Sequence, residues 1–179
     1  IDFNVLATKR VAVLGAGASA MDNAVMALEA KSVEVKIFSR RPEIQRIQPF
    51  KWLSFPGFFR HFYDLDDRWR WQFMEHLLGL REAFPKETWE RANQYNNFSI
   101  ETGVPWDNLS IVDDEIQIKT PKGKYFADFL IFGTGFLIDI TCRLELKPHS
   151  QLIALWRDRY LDSKRDNAST LLNYPYLGS

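Results

Sequence analysis

Hydrophobic positions in the amino-terminal part of the chain follow first a strand-like and then a helix-like period. Lys9 and Arg10 precede the apolar run 11–14, which is typical of a strand buried on both faces. Apolar residues then recur at helical spacing as far as Leu28, and residues 33–38 form a second strand-like run. A strand, a turn, a helix and a second strand within about 30 residues predict a βαβ unit.

Residues 42–97 interrupt this alternation and predict a helical insertion. Prolines punctuate an aromatic loop at its start, and a helical pattern follows Asp66 and Asp67. We expect the apolar stripe of this helix to pack onto the domain; the stripe consists of Trp69, Phe73, Leu77 and Leu80. The crowded aromatic residues before the helix predict an exposed patch where a partner domain docks. These residues are Trp52, Phe55, Phe58 and Phe59. A further short helix is expected over residues 88–95.

Strand-like patterns return after the insertion. Residues 98–101 predict a strand, and residues 116–120 alternate strictly before a turn at 121–124, which predicts a hairpin with one solvated face. Residues 129–132 are wholly apolar and end at a glycine. A short amphipathic helix is expected over 152–160, and the final residues, 162–179, carry no core pattern.

These elements together predict an α/β fold: a Rossmann-like, three-layer domain with a central parallel sheet, a β-meander and a helical insertion. We expect residues 1–8 to be a linker and residues 9–140 to form the domain. Residues 141–179 are interpreted as a carboxyl-terminal extension.

Composition narrows the class of protein. The chain has 179 residues, 46% hydrophobic and 26% charged, which fits an ordinary globular domain. Its 23 basic and 23 acidic residues cancel, so the net charge gives no basis for binding nucleic acid. No apolar run is long enough to span a bilayer and the first residues do not read as a signal peptide. We therefore expect a cytoplasmic protein with no membrane partner.

Cysteine and histidine usage exclude two kinds of site. The single Cys142 cannot form an internal disulfide or a redox dithiol, and we interpret it as an inert small hydrophobic residue. His61, His76 and His149 are far apart and lack metal-ligand spacing. The sequence therefore predicts no metal site.

A glycine-rich turn joins the first strand to the first helix. It reads Gly15-Ala16-Gly17-Ala18-Ser19-Ala20. Gly15 lets the chain leave the strand sharply, Gly17 lets backbone approach a pyrophosphate, and the small Ala20 allows close packing of the helix. The helix N-terminus supplies free N–H groups and a partial positive charge to phosphates. Ser19 either donates its hydroxyl to a phosphate or caps the helix.

The end of the second strand indicates which dinucleotide binds. An NAD site has an acidic residue there for the ribose 2′-hydroxyl, whereas this chain has Ser39-Arg40-Arg41. A guanidinium matches a 2′-phosphate that a carboxylate would repel. Arg40 and Arg41 therefore favour NADP(H) over NAD(H).

Two segments resemble a known family. The run 9–20 is similar to the second glycine motif of flavin-containing monooxygenases and Baeyer–Villiger monooxygenases. The run 128–136, which contains Gly133, Thr134 and Gly135, looks like the segment that closes the NADPH-binding domain in flavoproteins with two dinucleotide-binding domains. The resemblance covers roughly residues 9 to 140, and the order of features agrees throughout.

The resemblance has clear departures. Members of that family carry a further glycine motif for FAD near their amino terminus, whereas this chain has one such motif. The family's linker segment before the NADPH domain would fall upstream of Ile1. We therefore expect the chain to correspond to the middle portion of a larger flavoprotein, with residues 141–179 forming part of a linker back to the FAD domain.

The resemblance implies an NADP(H)-binding domain of a flavin-dependent monooxygenase. Hydride from the nicotinamide would reduce FAD held by another domain of the same gene product, and a small-molecule substrate would be oxidised there. Residues 133–135 would join the glycine turn and both arginines in binding the nucleotide. We expect no catalytic residue in this chain and no activity from it alone. The oligomeric state is left open.

Two other functions compete with this interpretation. One is the nicotinamide domain of another flavin reductase, although a disulfide reductase needs a dithiol that Cys142 alone cannot provide. The other is a nucleotide-sensing or interaction module without redox activity. Such a module would bind NADP, or nothing, and would have no flavin partner.

Overall fold

The computed structural model describes residues 3–46, 48, 51, 54–80, 83–136, 139–162 and 166–176. They form two compact units. Unit 1 comprises Ile1–Gln48 and Arg81–Gly135, and unit 2 comprises Pro49–Leu80 and Phe136–Ser179. In chain order, the elements are β1 (Arg10–Leu14), α1 (Ala18–Glu29), β2 (Glu34–Ser39), α2 (Pro56–His61), α3 (Asp67–Leu80), α4 (Lys86–Ala92), β3 (Phe98–Thr102), β4 (Asn108–Val112), β5 (Glu115–Thr120), β6 (Gly123–Ala127), β7 (Phe129–Phe132) and α5 (Trp156–Arg159).

Unit 1 is built on a four-stranded parallel sheet in the order β3-β2-β1-β7. The side chains of β1 alternate between its two faces, as in any strand. Val11 and Val13 pack with α1 and α4 on one face, in a buried cluster. Ala12 packs on the other face with Ile118 of the β-meander, which is the antiparallel sheet β4-β5-β6. The result is three layers: helices, parallel sheet and meander.

An ion-pair network fastens the meander at the amino-terminal edge of the parallel sheet. Arg10 Nη2 donates to Asp128 Oδ1 at 2.7 Å and to Glu115 Oε1 at 2.8 Å. The Arg10 backbone N–H also donates to Asp128, at 2.8 Å. The side-chain and backbone hydrogen bonds from Arg10 lower the pKa of Asp128 to about 2. Because β5 starts and β6 ends at this edge, the turn between β5 and β6 lies at the opposite, carboxyl-terminal edge.

The α/β, Rossmann-like fold predicted from the sequence is confirmed. The predicted strands agree with β2, β3, β5 and β7 to within about one residue at each end, the usual uncertainty of element boundaries. The strand pattern missed β4, because all five of its residues are exposed and no apolar face marks it. The helix expected over 88–95 is observed as α4, which begins earlier, at Lys86, and ends at Ala92. The helix expected over 152–160 is observed only as the shorter α5, Trp156–Arg159.

Unit 2 has an aromatic core of its own. Its fully buried residues are Trp71, Trp156, Tyr160 and Leu172. The ring of Trp156 lies 5.5 Å from that of Trp71 and 4.9 Å from that of Tyr176, both edge to face. Residues of α3 and of the carboxyl-terminal segment therefore share one core, although residues 162–179 were predicted to lack a core pattern.

A polar cluster in unit 2 explains which side of α3 is buried. Arg70 is buried and its guanidinium donates to Tyr176 Oη at 2.6 Å and to the carboxylate of Asp67. The hydrogen bond to Asp67, together with burial, raises the pKa of Tyr176. The prediction that the Trp69 stripe packs the helix was wrong for Trp69 and Phe73, which are exposed, whereas Arg70 and Trp71 are buried. The other two residues of the stripe, Leu77 and Leu80, are half-buried.

The exposure of individual side chains can be compared with the predictions for the aromatic patch and for Cys142. Phe55 and Phe59 are exposed, as predicted, and Trp52 lies outside the described residues. Phe58 was expected in the same exposed patch but is half-buried, with its ring 5.3 Å from that of Phe73. Cys142 is a free, exposed cysteine, and the interpretation of it as an inert small hydrophobic residue stays a prediction. Among the described residues, none of the helices has the length and hydropathy needed to cross a bilayer.

Candidate functional site

The candidate site lies at the carboxyl-terminal edge of the parallel sheet in unit 1. Parallel strands end on the same side, so the segments that follow β1, β2, β3 and β7 meet there. Leu14 of β1 is in register with Phe38 of β2 and with Phe132 of β7. Gly15 N–H donates to the Phe38 carbonyl at 2.9 Å, and Gly133 N–H donates to the Leu14 carbonyl at 2.8 Å. The two predicted glycine segments are therefore neighbours.

Three small residues set the shape of the glycine turn. Gly15 has φ +120°, a conformation that glycine adopts and other residues rarely do. A Cβ on Gly15 would overlap the Gly133 carbonyl, and a Cβ on Gly133 would lie 2.6 Å from the Cβ of Ala20. Ala20 is itself fully buried. A side chain at Gly15 or Gly133, or a larger one at Ala20, would push the turn, the helix and β7 apart.

Gly17 faces open space instead. No atom lies within 4 Å of the position that a Cβ would take, so its backbone is accessible to an approaching group. Gly17 is the N-cap of α1 and brings no side chain to the helix terminus. Within the described part of the chain, the N–H groups of residues 18–20 donate to no side chain. A helix N-terminus with free donors and a partial positive charge is suited to an anion.

Ser19 is the second residue of α1 and is exposed. Because Gly17 is the N-cap, the capping interpretation of Ser19 was wrong. Its carbonyl accepts a hydrogen bond from Asn23 Nδ2 at 2.7 Å, while its hydroxyl has no partner among the described residues. The alternative, that the hydroxyl contacts a phosphate, stays a prediction.

Arg40 and Arg41 follow β2 and are both exposed. Their backbone is held by its neighbours: Arg41 N–H donates to the Ser39 hydroxyl at 3.2 Å, and Gly103 N–H donates to the Arg41 carbonyl at 2.7 Å. Neither guanidinium makes an ion pair or hydrogen bond within the described residues. The segment therefore presents two cations on a fixed backbone, at the same edge as the glycine turn.

Thr134 and Gly135 continue past β7 and are exposed. Gly135 has φ +88°, so the chain turns sharply there, and the space where a Cβ would lie is open. Ala16 and Ala18, the remaining predicted residues, are half-buried in the turn itself. All the site residues expected from the sequence therefore lie on the segments that follow β1, β2 and β7.

Two further residues at this edge were missed from the sequence. Gly103 follows β3 with φ +66° and binds the Arg41 carbonyl. Lys122, in the turn between β5 and β6, donates from Nζ to the Thr102 carbonyl at 2.7 Å. A glycine two residues after the predicted strand 98–101 was the available signal for Gly103. Nothing local marks Lys122, because its contact depends on how the meander packs.

The chain has a relative among characterised proteins. It is 34% identical over 178 residues to a FAD-dependent urate hydroxylase from Xanthomonas campestris pv. campestris, a match that covers 99% of this chain. The chain spans only 38% of the length of that hydroxylase. No protein-family model matches the chain.

Solved structures of two ornithine hydroxylases and a lysine monooxygenase share the fold. The reduced form of ornithine hydroxylase from Pseudomonas aeruginosa matches 82% of this chain and 40% of its own, with a TM-score of 0.60 and 12% identity. L-lysine 6-monooxygenase from Pseudomonas syringae matches 83% of this chain and 40% of its own, with a TM-score of 0.59 and 16% identity. The ornithine N-hydroxylase of Kutzneria sp. 744, with reduced FAD, NADP⁺ and L-ornithine, matches 70% of this chain and 35% of its own, with a TM-score of 0.53 and 14% identity.

Proposed function

Because this chain is homologous to a flavin-dependent hydroxylase, we propose that unit 1 is the NADP(H)-binding domain of a flavin-dependent monooxygenase or related oxidoreductase. One observation carries the proposal. An open glycine turn at a helix N-terminus and two exposed arginines share the carboxyl-terminal edge of one parallel sheet. That edge is where open α/β sheets bind nucleotides.

The residues at this edge fit the charged parts of NADP(H). The pyrophosphate would lie over Gly17, where no Cβ intervenes and the N–H groups at the start of α1 donate to no side chain of the described residues. Ser19 would add a hydroxyl donor. The 2′-phosphate would lie at the end of β2, where the guanidinium groups of Arg40 and Arg41 have no partner in the part of the chain that the structure describes.

The strand order indicates where the other half of the dinucleotide would lie. In the sheet, β1 has β2 on one side and β7 on the other, so the chain leaves β1 in one direction and returns on the opposite side. In open α/β sheets, a dinucleotide binds across the crevice at the carboxyl ends of the strands where the strand order reverses in this way. With the adenosine half beside β2, the nicotinamide half would extend toward Gly133–Gly135. The positive φ and open surroundings of Gly135 leave room for a ring there.

The function of the whole protein follows from this assignment. When bound, the nicotinamide supplies hydride to FAD, and the protein's part is to position and orient it. We propose that FAD is held by another domain of the same gene product, which also meets a small-molecule substrate. Residues 9–48 and 81–135 would then bind the nicotinamide nucleotide, and the isolated chain would neither retain flavin nor consume NADPH with oxygen.

Isothermal titration of this chain with NADPH and with NADH tests the proposal. We expect NADPH to bind about tenfold to a hundredfold more tightly, since a hydrogen bond to a charged group contributes about 1.5–3 kcal/mol. The double variant Arg40→Ala, Arg41→Ala should bind the two nucleotides about equally.

A matched control comes from the same unit. Arg91 pairs with Glu29 at 2.5 Å on the helical layer, so Arg91→Ala removes a cation without touching the sheet edge. This variant should keep the preference for NADPH. Equal affinities for both nucleotides in the unmodified chain would rule out the 2′-phosphate assignment, and no binding of either would rule out the domain assignment.

A further inference from the structure

Lys122 brings a third cation to the arginine-bearing end of the site. It belongs to the turn between β5 and β6, and its Nζ donates to the carbonyl of Thr102, the last residue of β3, at 2.7 Å. Thr102 is in register with Ser39 of β2, and Arg40 follows Ser39 directly. The next residue after Thr102, Gly103, donates to the Arg41 carbonyl at 2.7 Å. One short series of backbone contacts thus joins Lys122 to both arginines.

The position of Lys122 is fixed by the meander. Thr120 is paired with Gly123 across the turn, and the Thr120 hydroxyl donates to the Gly123 carbonyl at 2.9 Å and accepts from the Lys122 N–H at 3.2 Å. Thr120 is buried, so the base of the turn is anchored. Because the hairpin is held in this position, the Lys122 ammonium lies beside the end of β3.

The charge of Lys122 is not neutralised within the described residues. Neither Lys122 nor the two arginines form an ion pair there. An ammonium has three donors, and the Thr102 carbonyl takes one of them. Two donors and a full positive charge are left for an anion at the end of β2 and β3. A dianion bound at this end of the sheet would be attracted by the charge of Lys122 as well as by those of the two arginines.

We propose that Lys122 is a specificity-determining residue that binds the 2′-phosphate of NADP(H) together with Arg40 and Arg41. This rests on the proposed function of unit 1. The meander would then take part directly in distinguishing NADP(H) from NAD(H), in addition to covering the sheet. The interaction is electrostatic and solvent-exposed, so it should weaken as salt is added.

The test is the affinity of Lys122→Ala for NADPH and for NADH, measured by titration at low and at high salt. We expect NADPH binding to weaken about threefold to fivefold at low salt, as for an exposed charge pair. NADH binding should change less than twofold, and at high salt the loss for NADPH should shrink. Lys122→Arg should retain the preference, because it keeps the charge.

Lys124→Ala is the matched control. Lys124 is an exposed lysine of the same hairpin, paired with Lys119 across the strands rather than bonded to β3. The Lys124→Ala variant should leave the affinities for NADPH and for NADH unchanged. The proposal is overturned if Lys122→Ala weakens NADPH and NADH equally, which would indicate loop positioning alone. It is also overturned if Lys122→Ala leaves the affinity for NADPH unchanged, or if Lys124→Ala lowers that affinity as much as Lys122→Ala does.

The failure of this inference can be told apart from failure of the proposed function. If Arg40→Ala, Arg41→Ala abolishes the preference for NADPH while Lys122→Ala does not reduce it, only the role of Lys122 is overturned. If the unmodified chain binds neither nucleotide, the domain assignment is overturned, and if it binds both equally, the 2′-phosphate assignment is overturned; in either case the role of Lys122 fails with it. Thermal unfolding of each variant shows whether the hairpin contact to Thr102 contributes to stability.

Discussion

Replacement of Gly17 by valine is expected to abolish most of the affinity for NADPH while leaving unit 1 folded. The new side chain would fill the open space beside Gly17, through which a pyrophosphate would approach the backbone. Loss of two charge-assisted hydrogen bonds, at about 1.5–3 kcal/mol each, corresponds to an affinity at least about a hundredfold lower. Since Gly17 has φ −87°, valine can adopt its backbone conformation.

The binding and the stability of this variant are measured separately. Titration should show the loss of NADPH affinity, and thermal unfolding should shift only slightly, because valine is a somewhat poorer N-cap than glycine. Gly57→Val is the control: Gly57 also faces open space, but it lies in α2 of unit 2. If Gly17→Val bound NADPH as tightly as the unmodified chain, the pyrophosphate would not lie on this turn.

Replacement of Trp156 by alanine is expected to destabilise unit 2 by about 3–5 kcal/mol, as for other large aromatic residues removed from a core. Trp156 is 0% exposed and contacts the rings of Trp71, Tyr160 and Tyr176. Among the described residues of unit 2, the aromatic core has only three other buried members, Trp71, Tyr160 and Leu172. Chemical denaturation followed by tryptophan fluorescence measures the change.

Two further variants make the measurement specific. Trp69→Ala removes the same residue type from an exposed position of α3 and should cost about 0.5 kcal/mol or less. Trp156→Phe should cost far less than Trp156→Ala, because the indole N–H of Trp156 has no hydrogen-bond partner within the described residues. Equal destabilisation by Trp69→Ala and Trp156→Ala would contradict the assignment of the aromatic core.

The βαβ unit and its glycine turn were predictable because local sequence fixes them. The apolar strand 11–14, the glycines at 15 and 17 and the helical spacing after them all indicate the same structure. The end of β2 is equally local, so Arg40 and Arg41 could be placed on the correct edge. The parallel sheet then brings Gly133 beside Gly15, as the register of β1 and β7 explains. The family resemblance had implied only that both segments bind the nucleotide.

What the sequence did not predict depends on tertiary contacts. The β4 strand has no buried face to produce an alternating pattern. The buried side of α3 is set by Arg70, which pairs with Asp67 one turn earlier in the same helix and donates a hydrogen bond to Tyr176 in the distant carboxyl-terminal segment. The sequence-based prediction took the apolar side of the helix to be the buried side, and it therefore placed the Trp69 stripe in the interior. Lys122 reaches the site only through the packing of the meander on β3.

The most direct test of the central claim is to map NADPH binding on the backbone amides of the isotope-labelled chain by nuclear magnetic resonance. We expect the amide signals of residues 15–20, 40–41 and 133–135 to shift on addition of NADPH, with signals of α3 and α5 unchanged. NADH should shift the glycine turn but much less the signals of residues 40–41. Shifts confined to unit 2, or no shift at residues 15–20, would contradict a dinucleotide site at the carboxyl-terminal edge of the sheet.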